Sequence, residues 1–177
     1  MACLSRIGDR SYGIIPLRYA PGISSPKAKP TPENTQVLLI FQKTARRSLP
    51  WFWCFPKGHA EHGDASLRHT AIRELEEETG LKVELSDLLK FERNGGDSSF
   101  KEVYVNPVRN VGKEVRYWVG LVKDGESKIK VQEREVADAR WCGWEEALNL
   151  ITFDEARNML KTVERSLGKS KSVKTNL

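Results

Sequence analysis

Apolar residues occur along the chain in short runs that predict strands, and near its end in helical patterns. Runs of aliphatic, aromatic and β-branched residues, bounded by Gly, Pro, Asn or Asp, predict strands at 11–19, 36–43, 51–55, 115–123, 128–131 and 140–144. The first two strands are expected to form a hairpin with an enlarged connection. Helices are predicted at 144–150 and 152–168, and Thr152 and Glu155 have the spacing of a capping box at the start of the second.

Between residues 58 and 81 a glycine-containing loop leads into an amphipathic helix. Its apolar stripe, which can pack on a sheet, consists of Leu67, Ala71, Ile72, Leu75 and Thr79. Glu74, Glu77 and Glu78 stand at i, i+3 and i+4, so three carboxylates share one helix face. Three carboxylates so close together repel one another, so a cation is needed to offset their charge. Because their ligand atoms are hard oxygens, Mg²⁺ or Mn²⁺ is favoured over zinc. The face therefore predicts a divalent-metal site, and the alternative is a solvated acidic surface.

Three other stretches predict irregular chain. Residues 20–34 are dense in Pro, Ser and Lys, which predicts an exposed loop. Residues 94–114 contain glycine and are basic through Lys101, Arg109 and Lys113, which predicts either a specificity loop beside a cleft or a passive insertion. Residues 169–177 predict a disordered basic tail, so residues 1–168 are expected to form a single domain.

Charge and cysteine content indicate which class of ligand and which cellular compartment suit this protein. The formal net charge is +5 and the pI is about 9.1 although the helix is acidic, so basic residues gather elsewhere and suit a polyanionic small molecule. No nucleic-acid module accompanies the charge. Three cysteines without metal-ligand spacing are typical of an intracellular protein, and we expect a cytoplasmic or nuclear monomer. No signal peptide or membrane span is predicted, although a signal removed before residue 1 would leave the same sequence.

The segment 58–81, GHAEHGDASLRHTAIRELEEETGL, resembles the Nudix box, whose pattern is G, five residues, E, seven residues, R-E-aliphatic-x-E-E-x-G-aliphatic. The second half matches at every fixed position: Arg73, Glu74, Leu75, Glu77, Glu78, Gly80 and Leu81. The first half departs twice, because Asp64 stands in place of glutamate and eight residues rather than seven separate it from Arg73. We expect the extra residue to lie outside the helix, which preserves the metal face and leaves Asp64 without an assigned role.

A wider span, 11–168, is similar to the asymmetric diadenosine tetraphosphate hydrolase branch of the Nudix superfamily. The matching segments are FPKGHAEHGD, YWVGLVKD and ARWCGWEEAL. The resemblance implies an α/β fold, namely the Nudix α/β/α sandwich around a mixed β-sheet. It also implies a phosphohydrolase that uses Mg²⁺ or Mn²⁺.

The resemblance assigns roles to the metal-site residues. The implied metal ligands are the Gly58 carbonyl and the carboxylates of Glu74, Glu77 and Glu78. Arg73 is expected to orient the helix carboxylates through a salt bridge, and Glu77 to act either as general base or as bridging ligand. Glu135 corresponds to a loop glutamate that joins metal or water binding, with Glu133 as the fallback.

Substrate contacts are expected from cations and one aromatic ring. Lys57 is placed to hold phosphate oxygens, together with Lys43, Arg46 or Arg47. Tyr117 corresponds to an aromatic residue that packs on adenine. No Phe, Tyr or Trp follows Phe153, so the matching carboxy-terminal aromatic residue is missing.

These residues indicate a Mg²⁺-dependent hydrolase that cleaves phosphoanhydride bonds of a dinucleoside polyphosphate. The alternatives are a diphosphoinositol polyphosphate phosphohydrolase, which the basic loop favours, and a Nudix-fold protein that binds a nucleotide or inositol phosphate without turnover. Messenger RNA decapping is disfavoured because the sequence has no additional RNA-binding region.

Overall fold

Seven strands and three α-helices make up the computed structural model, which describes residues 6–23, 28–46, 48–92, 96–123 and 128–168. The strands are β1 (Ile7–Tyr19), β2 (Thr35–Gln42), β3 (Phe52–Cys54), β4 (Lys57–Gly58), β5 (Phe100–Asn106), β6 (Val111–Leu121) and β7 (Val136–Cys142). The helices are α1 (Leu67–Thr79), α2 (Trp144–Leu150) and α3 (Asp154–Gly168), with a 3₁₀ turn at Leu85–Asp87. No helix in these ranges has the length and apolar character needed to cross a membrane.

The strands form one mixed sheet in the order β3-β2-β1-β6-β5, with β4 paired to β1 and β7 paired to β2. The pair β1–β6 is parallel and the other pairs are antiparallel, and the predicted β1–β2 hairpin is confirmed. β1 pairs with β4 at Tyr12 and Gly13 but with β2 only from Leu17 onward. Pro16, which has no N–H to donate, lies between these two pairings.

Helices cover both faces of the sheet because successive side chains of a strand point to opposite sides. Ile14 of β1 faces α1, where it belongs to one buried cluster with Ala71 and Leu75. Ile15 faces the other way, into a cluster that includes Leu160 and Val163 of α3. The predicted α/β/α sandwich around a mixed sheet is therefore confirmed.

Both ends of α1 carry capping residues. Ser66 is the N-cap and accepts a hydrogen bond from the His69 N–H, while Gly80 ends the helix with φ of 73°. The extra residue of the box is absorbed before the helix, in a turn where Asp64 and Glu61 exchange hydrogen bonds. Leu67 is an exception to the predicted apolar stripe: it begins the first turn and is 39% exposed.

Several predicted boundaries are wrong. Within the predicted loop 94–114, residues 100–106 and 111–114 belong to strands, since β5 and β6 pair from Phe100–Tyr117 to Asn106–Val111 around a turn at 107–110. Residues 128–131 form no strand, and the Lys130 N–H donates instead to the carbonyl of Thr79 at the end of α1. Helix α3 begins at Asp154 and not at the predicted Thr152. The Thr152 hydroxyl instead accepts a hydrogen bond from the Trp53 N–H of β3.

The predicted loop at 20–34 agrees with the structure in its described part. The described residues of 20–34 lie outside strands and helices, as expected of a loop. Residues 24–27 and the predicted tail at 169–177 lie outside the described residues.

Candidate active site

A polar pocket of about 310 Å³ lies between α1 and the sheet. It is lined by Ser11, Gln42, Lys57, Gly58, His59, Glu61, Glu74, Glu77, Glu78, Lys113, Gln132 and Glu135. The three predicted glutamates of α1 thus meet Gly58, Lys57 and the loop residue Glu135 in one place. Glu133, the fallback for Glu135, is exposed and does not line the pocket.

Glu78 is the most buried of the three helix carboxylates. The residue is 1% exposed, and its Oε2 accepts a hydrogen bond of 2.9 Å from the Lys57 backbone N–H. Burial raises the pKa of Glu78 to about 8, against the opposing charge of Lys57. Its Oε1 has no partner among the described residues. A buried carboxylate oxygen without a partner is costly unless a cation or a donor occupies the pocket.

Two further unpaired atoms line the same pocket. Among the described residues, four buried side-chain atoms have no hydrogen-bond partner, and three of them are Ser11 Oγ, Glu78 Oε1 and Gln132 Oε1. Buried polar atoms in folded proteins are nearly always paired. The concentration of unpaired atoms here indicates a pocket built to hold a polar occupant.

The Glu74 carboxylate lies directly against Gly58. A Cβ placed on Gly58 would lie 2.1 Å from the Glu74 Cδ and Oε1 atoms, so any larger residue at 58 would displace the carboxylate. Burial raises the pKa of Glu74, and the charge of Arg73 opposes this rise. The glycine therefore lets the β4 backbone and the helix carboxylate approach the same point.

Arg73 joins the box loop to the helix carboxylates. Its Nη1 donates to Glu74 Oε1 at 3.0 Å and to Glu77 Oε2 at 3.1 Å, as the sequence predicts. Its Nε and Nη2 donate to Asp64 Oδ1 and Oδ2, both at 3.0 Å. Asp64 also accepts from the Thr70 hydroxyl, and its hydrogen bonds with Arg73 lower the pKa of its carboxyl. Asp64, without an assigned role in the sequence, is thus the anchor of Arg73.

These groups fit a hard divalent cation. No three His, Cys, Asp or Glu side chains in the described ranges form a compact ligand cluster, and one oxygen each of Glu74 and Glu77 is bound to Arg73. The donor set is nevertheless all oxygen, and one oxygen of Glu78 is buried and unpaired. Oxygen ligands of this kind suit Mg²⁺ or Mn²⁺.

Three basic residues outside α1 also line the pocket. We call the set Lys57, His59 and Lys113 the basic wall, since all three line the pocket. The Lys57 Nζ donates to Gln42 Oε1 at 2.5 Å and lies 3.4 Å from Cys54 Sγ. Lys113 and His59 are both held by the carboxylate of Asp9.

Asp9 is a buried carboxylate that sequence reasoning missed. Its side chain is 1% exposed, with His59 Nε2 2.8 Å from Oδ1 and Lys113 Nζ 3.2 Å from Oδ2. Asn106 Nδ2 also donates to Oδ2, at 2.8 Å. Burial would raise the pKa of Asp9, but these hydrogen bonds and the charge of Lys113 lower it to about 2. No motif includes Asp9, and an acidic residue at an inward position of a strand is the only signal that could have indicated it.

Two of the other predicted phosphate ligands, Lys43 and Arg46, do not line the pocket. The Lys43 Nζ donates to the Glu133 carbonyl at 2.5 Å and lies 5.5 Å from the centre of the Trp51 ring. Arg46 is exposed and is not part of the lining, and Arg47 lies outside the described residues. Of the predicted cations, Lys57 alone among the described residues lines the pocket.

The prediction that Tyr117 stacks on adenine is wrong. Tyr117 is 0% exposed, packs edge-on against Phe55 with ring centres 5.6 Å apart, and donates its hydroxyl to Glu102 at 2.9 Å. The alternation of β6 turns its ring toward the core shared with α3 rather than toward the surface.

A different set of rings, none of which lines the pocket, lies near Lys57. Phe153 is 43% exposed, and its ring centre is 5.1 Å from that of Phe52 and 6.4 Å from that of Tyr104. The Lys57 Nζ lies 5.6 Å from the Phe52 ring centre. We call Phe52, Tyr104 and Phe153 the aromatic group; it connects the exposed surface with the basic wall.

Comparison with known proteins agrees with this architecture. The family model described as NUDIX domain matches residues 29–163. The chain is 36% identical over 109 residues to the asymmetrical bis(5'-nucleosyl)-tetraphosphatase of Rattus norvegicus, covering 62% of this chain and 67% of that protein. It is 30% identical over 116 residues to Nudix hydrolase 2 of Arabidopsis thaliana, covering 66% of this chain and 37% of that protein. The fold is similar to that of a C. elegans Ap4A hydrolase binary complex, with a TM-score of 0.68, 21% identity and coverage of 91% and 98% of the two chains.

Proposed function

Because the chain belongs to the Nudix family of hydrolases, we propose that it cleaves a phosphoanhydride bond of a dinucleoside polyphosphate with the help of Mg²⁺ or Mn²⁺. The main support is the division of one pocket into an acidic side on α1 and a basic wall on the sheet. A polyphosphate bound with a divalent cation has charges that complement both sides.

The acidic side would hold the cation. The candidate ligands are the Gly58 carbonyl, Glu74, Glu77 and Glu78. When bound, a divalent cation offsets phosphate charge and lowers the pKa of the attacking water. The Lys57 N–H fixes the Glu78 carboxylate, and Arg73 fixes those of Glu74 and Glu77. Glu77, with a side chain 46% exposed, and Glu135 remain available to take a proton from water.

The basic wall would hold the phosphates. Burial opposes the charge of Lys57, but the surrounding Cys54, Tyr104, Glu78 and Glu102 raise its pKa overall, so its ammonium stays charged at neutral pH. Lys113 adds a second buried ammonium on the same side. Two lysines fixed by neighbouring side chains lose little further freedom when they bind phosphate oxygens.

The aromatic group would hold a base of the dinucleotide. Its rings adjoin Lys57, and Phe153 presents an exposed face on which a base can stack. The tetraphosphatase name of the Rattus norvegicus relative supports the same substrate class. A diphosphoinositol polyphosphate is the second candidate, favoured by the additional cation Arg109, whose Nη1 lies 4.0 Å from Asp9 next to the basic wall.

The test of chemistry is Mg²⁺-dependent hydrolysis by wild type and by Glu77→Gln and Glu78→Gln variants. Glu76→Gln is the matched control, since Glu76 lies on the same helix but is exposed and pairs with Lys82 at 2.9 Å. Hydrolysis should fall by at least about a hundredfold in the first two variants and stay unchanged in the control. Full activity in Glu77→Gln and Glu78→Gln would refute the proposed metal site.

The test of substrate compares diadenosine tetraphosphate with a diphosphoinositol polyphosphate at equal concentrations. Preference for the dinucleotide supports the base-stacking role of the aromatic group. Preference for the inositol compound would transfer the proposal to the second candidate. Binding of both without turnover would indicate a non-catalytic binding protein.

A further inference from the structure

We infer that Asp9 is a positioning residue. It holds the side chains of Lys113 and His59 so that they point toward phosphates bound in the pocket. This inference rests on the proposed function in one respect, namely that the basic wall binds a polyphosphate. Asp9 does not line the pocket, so its effect must pass through the two residues that do.

The backbone places these groups side by side. Asp9 of β1 is the register partner of Lys113 of β6, in the parallel pair at the centre of the sheet. Its carboxylate receives one group from each of the surrounding elements: His59 after β4, Asn106 at the end of β5, Lys113 within β6 and, at 4.0 Å, Arg109 from the turn between β5 and β6. The buried carboxylate is therefore the common acceptor for residues of β5, β6, the turn between them and the segment after β4.

Direct contact with substrate is not the role of Asp9. Its side chain is 1% exposed, and a negative charge beside a polyanion is repulsive. Asp9 instead fixes the orientation of the Lys113 ammonium. Without such a contact, a lysine ammonium on its four-carbon stem samples many rotamers and turns toward water. Lys113, with a side chain 11% exposed, is held in one of these orientations by the 3.2 Å contact.

Charge and positioning make opposite predictions for Asp9→Asn. If only net charge matters, removing a negative charge strengthens polyphosphate binding and lowers KM. If positioning matters, the freed Lys113 no longer points at the phosphates and KM rises, while kcat changes little because the metal side is intact. Asp9→Glu keeps the charge but moves the carboxylate by one methylene, so charge alone predicts no change in KM and positioning predicts a rise.

The experiment measures KM and kcat for diadenosine tetraphosphate with Mg²⁺ in wild type, Asp9→Asn, Asp9→Glu and the exposed control Asp138→Asn. We expect KM to rise about tenfold in Asp9→Asn, because losing one charge-assisted hydrogen bond weakens binding by about that factor. We expect kcat to stay within about twofold of the wild-type value. An unchanged or lower KM in both Asp9 variants would overturn the inference. Melting temperatures of all variants separate loss of fold from loss of binding.

A double-mutant cycle with Lys113→Met tests the route of the effect. If Asp9 acts through Lys113, Asp9→Asn should raise KM much less in the Lys113→Met background than in wild type. Fully additive effects would overturn the inference. Calorimetric binding of tripolyphosphate to the same proteins does not depend on turnover, so it reports on the basic wall even if the proposed hydrolysis fails.

Discussion

Arg73 binds both oxygens of Asp64 through hydrogen bonds of 3.0 Å, and this pair links the box loop to the carboxylates of α1. Replacing Asp64 by Asn removes the charge and one of the two acceptor oxygens. We expect the Mg²⁺ concentration needed for half-maximal activity to rise about 10-fold to 100-fold, as is typical when an outer partner of metal ligands is lost. A Mg²⁺ titration of activity measures this, with Asp138→Asn as control. An unchanged half-saturating concentration would show that Arg73 positions itself without Asp64.

Gly58→Ala should disable the site with little effect on folding. The added Cβ would lie 2.1 Å from the Glu74 carboxyl carbon and force that side chain to move. We expect kcat/KM to fall by at least about tenfold, because displaced ligands lose far more activity than stability. Gly63→Ala is the matched control in the same loop, since a Cβ there meets no atom within 4 Å. Equal activity of the two variants would contradict this account of Gly58.

Tyr117→Ala should be a stability variant rather than a specificity variant. Its fully buried ring contacts Phe55, so truncation leaves a cavity and should lower the free energy of unfolding by about 4 kcal/mol. Urea unfolding measures this loss. A stable Tyr117→Ala protein that discriminates only against adenine substrates would restore the stacking role predicted from the sequence.

Phe153→Ala should change specificity without changing stability much. Its exposed ring belongs to the aromatic group beside Lys57, and loss of one stacking platform is worth about tenfold in KM. We expect that rise for diadenosine tetraphosphate and no rise for tripolyphosphate used as a competitive inhibitor. Equal weakening of both ligands would show that Phe153 supports the pocket's shape instead of binding a base.

Asp9 should make the protein sensitive to acid. Its pKa in the folded state lies near 2, below the ordinary value of 3.8, so the charged carboxylate stabilises the fold above pH 3.8 and this contribution disappears as pH falls toward 2. Asp9→Asn should therefore be less stable than wild type by about 2 kcal/mol at pH 6, with the difference shrinking at pH 2.5. Urea unfolding at the two pH values measures the difference. A constant difference would mean that the Asp9 charge does not stabilise the fold.

Helical spacing made the acidic side of the site predictable. The positions of Glu74, Glu77 and Glu78 on one face follow from 3.6 residues per turn, and capping residues mark both ends of α1. The orientation of strand side chains is harder to predict from the sequence. Alternation says that neighbours point to opposite faces but not which face meets the cleft, and Tyr117, which the family resemblance assigned to adenine, faces the core instead.

The basic wall depends on pairing that no local pattern contains. Asp9 and Lys113 meet because β1 and β6 are neighbours in the sheet, a relationship between distant segments. β5 and the first four residues of β6 fall in the predicted loop at 94–114, because the glycines before them and the turn residues PVRN are typical of irregular chain. Long-range pairing therefore determines the contact between Asp9 and Lys113, which no local sequence pattern indicates.

The parallel pairing of β1 with β6 also sets the order in which the pocket can be built. More than half of the chain separates Asp9 from Lys113, so closing that loop must precede the formation of the basic wall. The carboxylate helix, by contrast, consists of local contacts and can form as soon as residues 66–80 are available. During synthesis α1 leaves the ribosome together with Lys57 and His59 but before Lys113, so the nascent chain passes through a stage in which the pocket lacks one lysine of its basic wall.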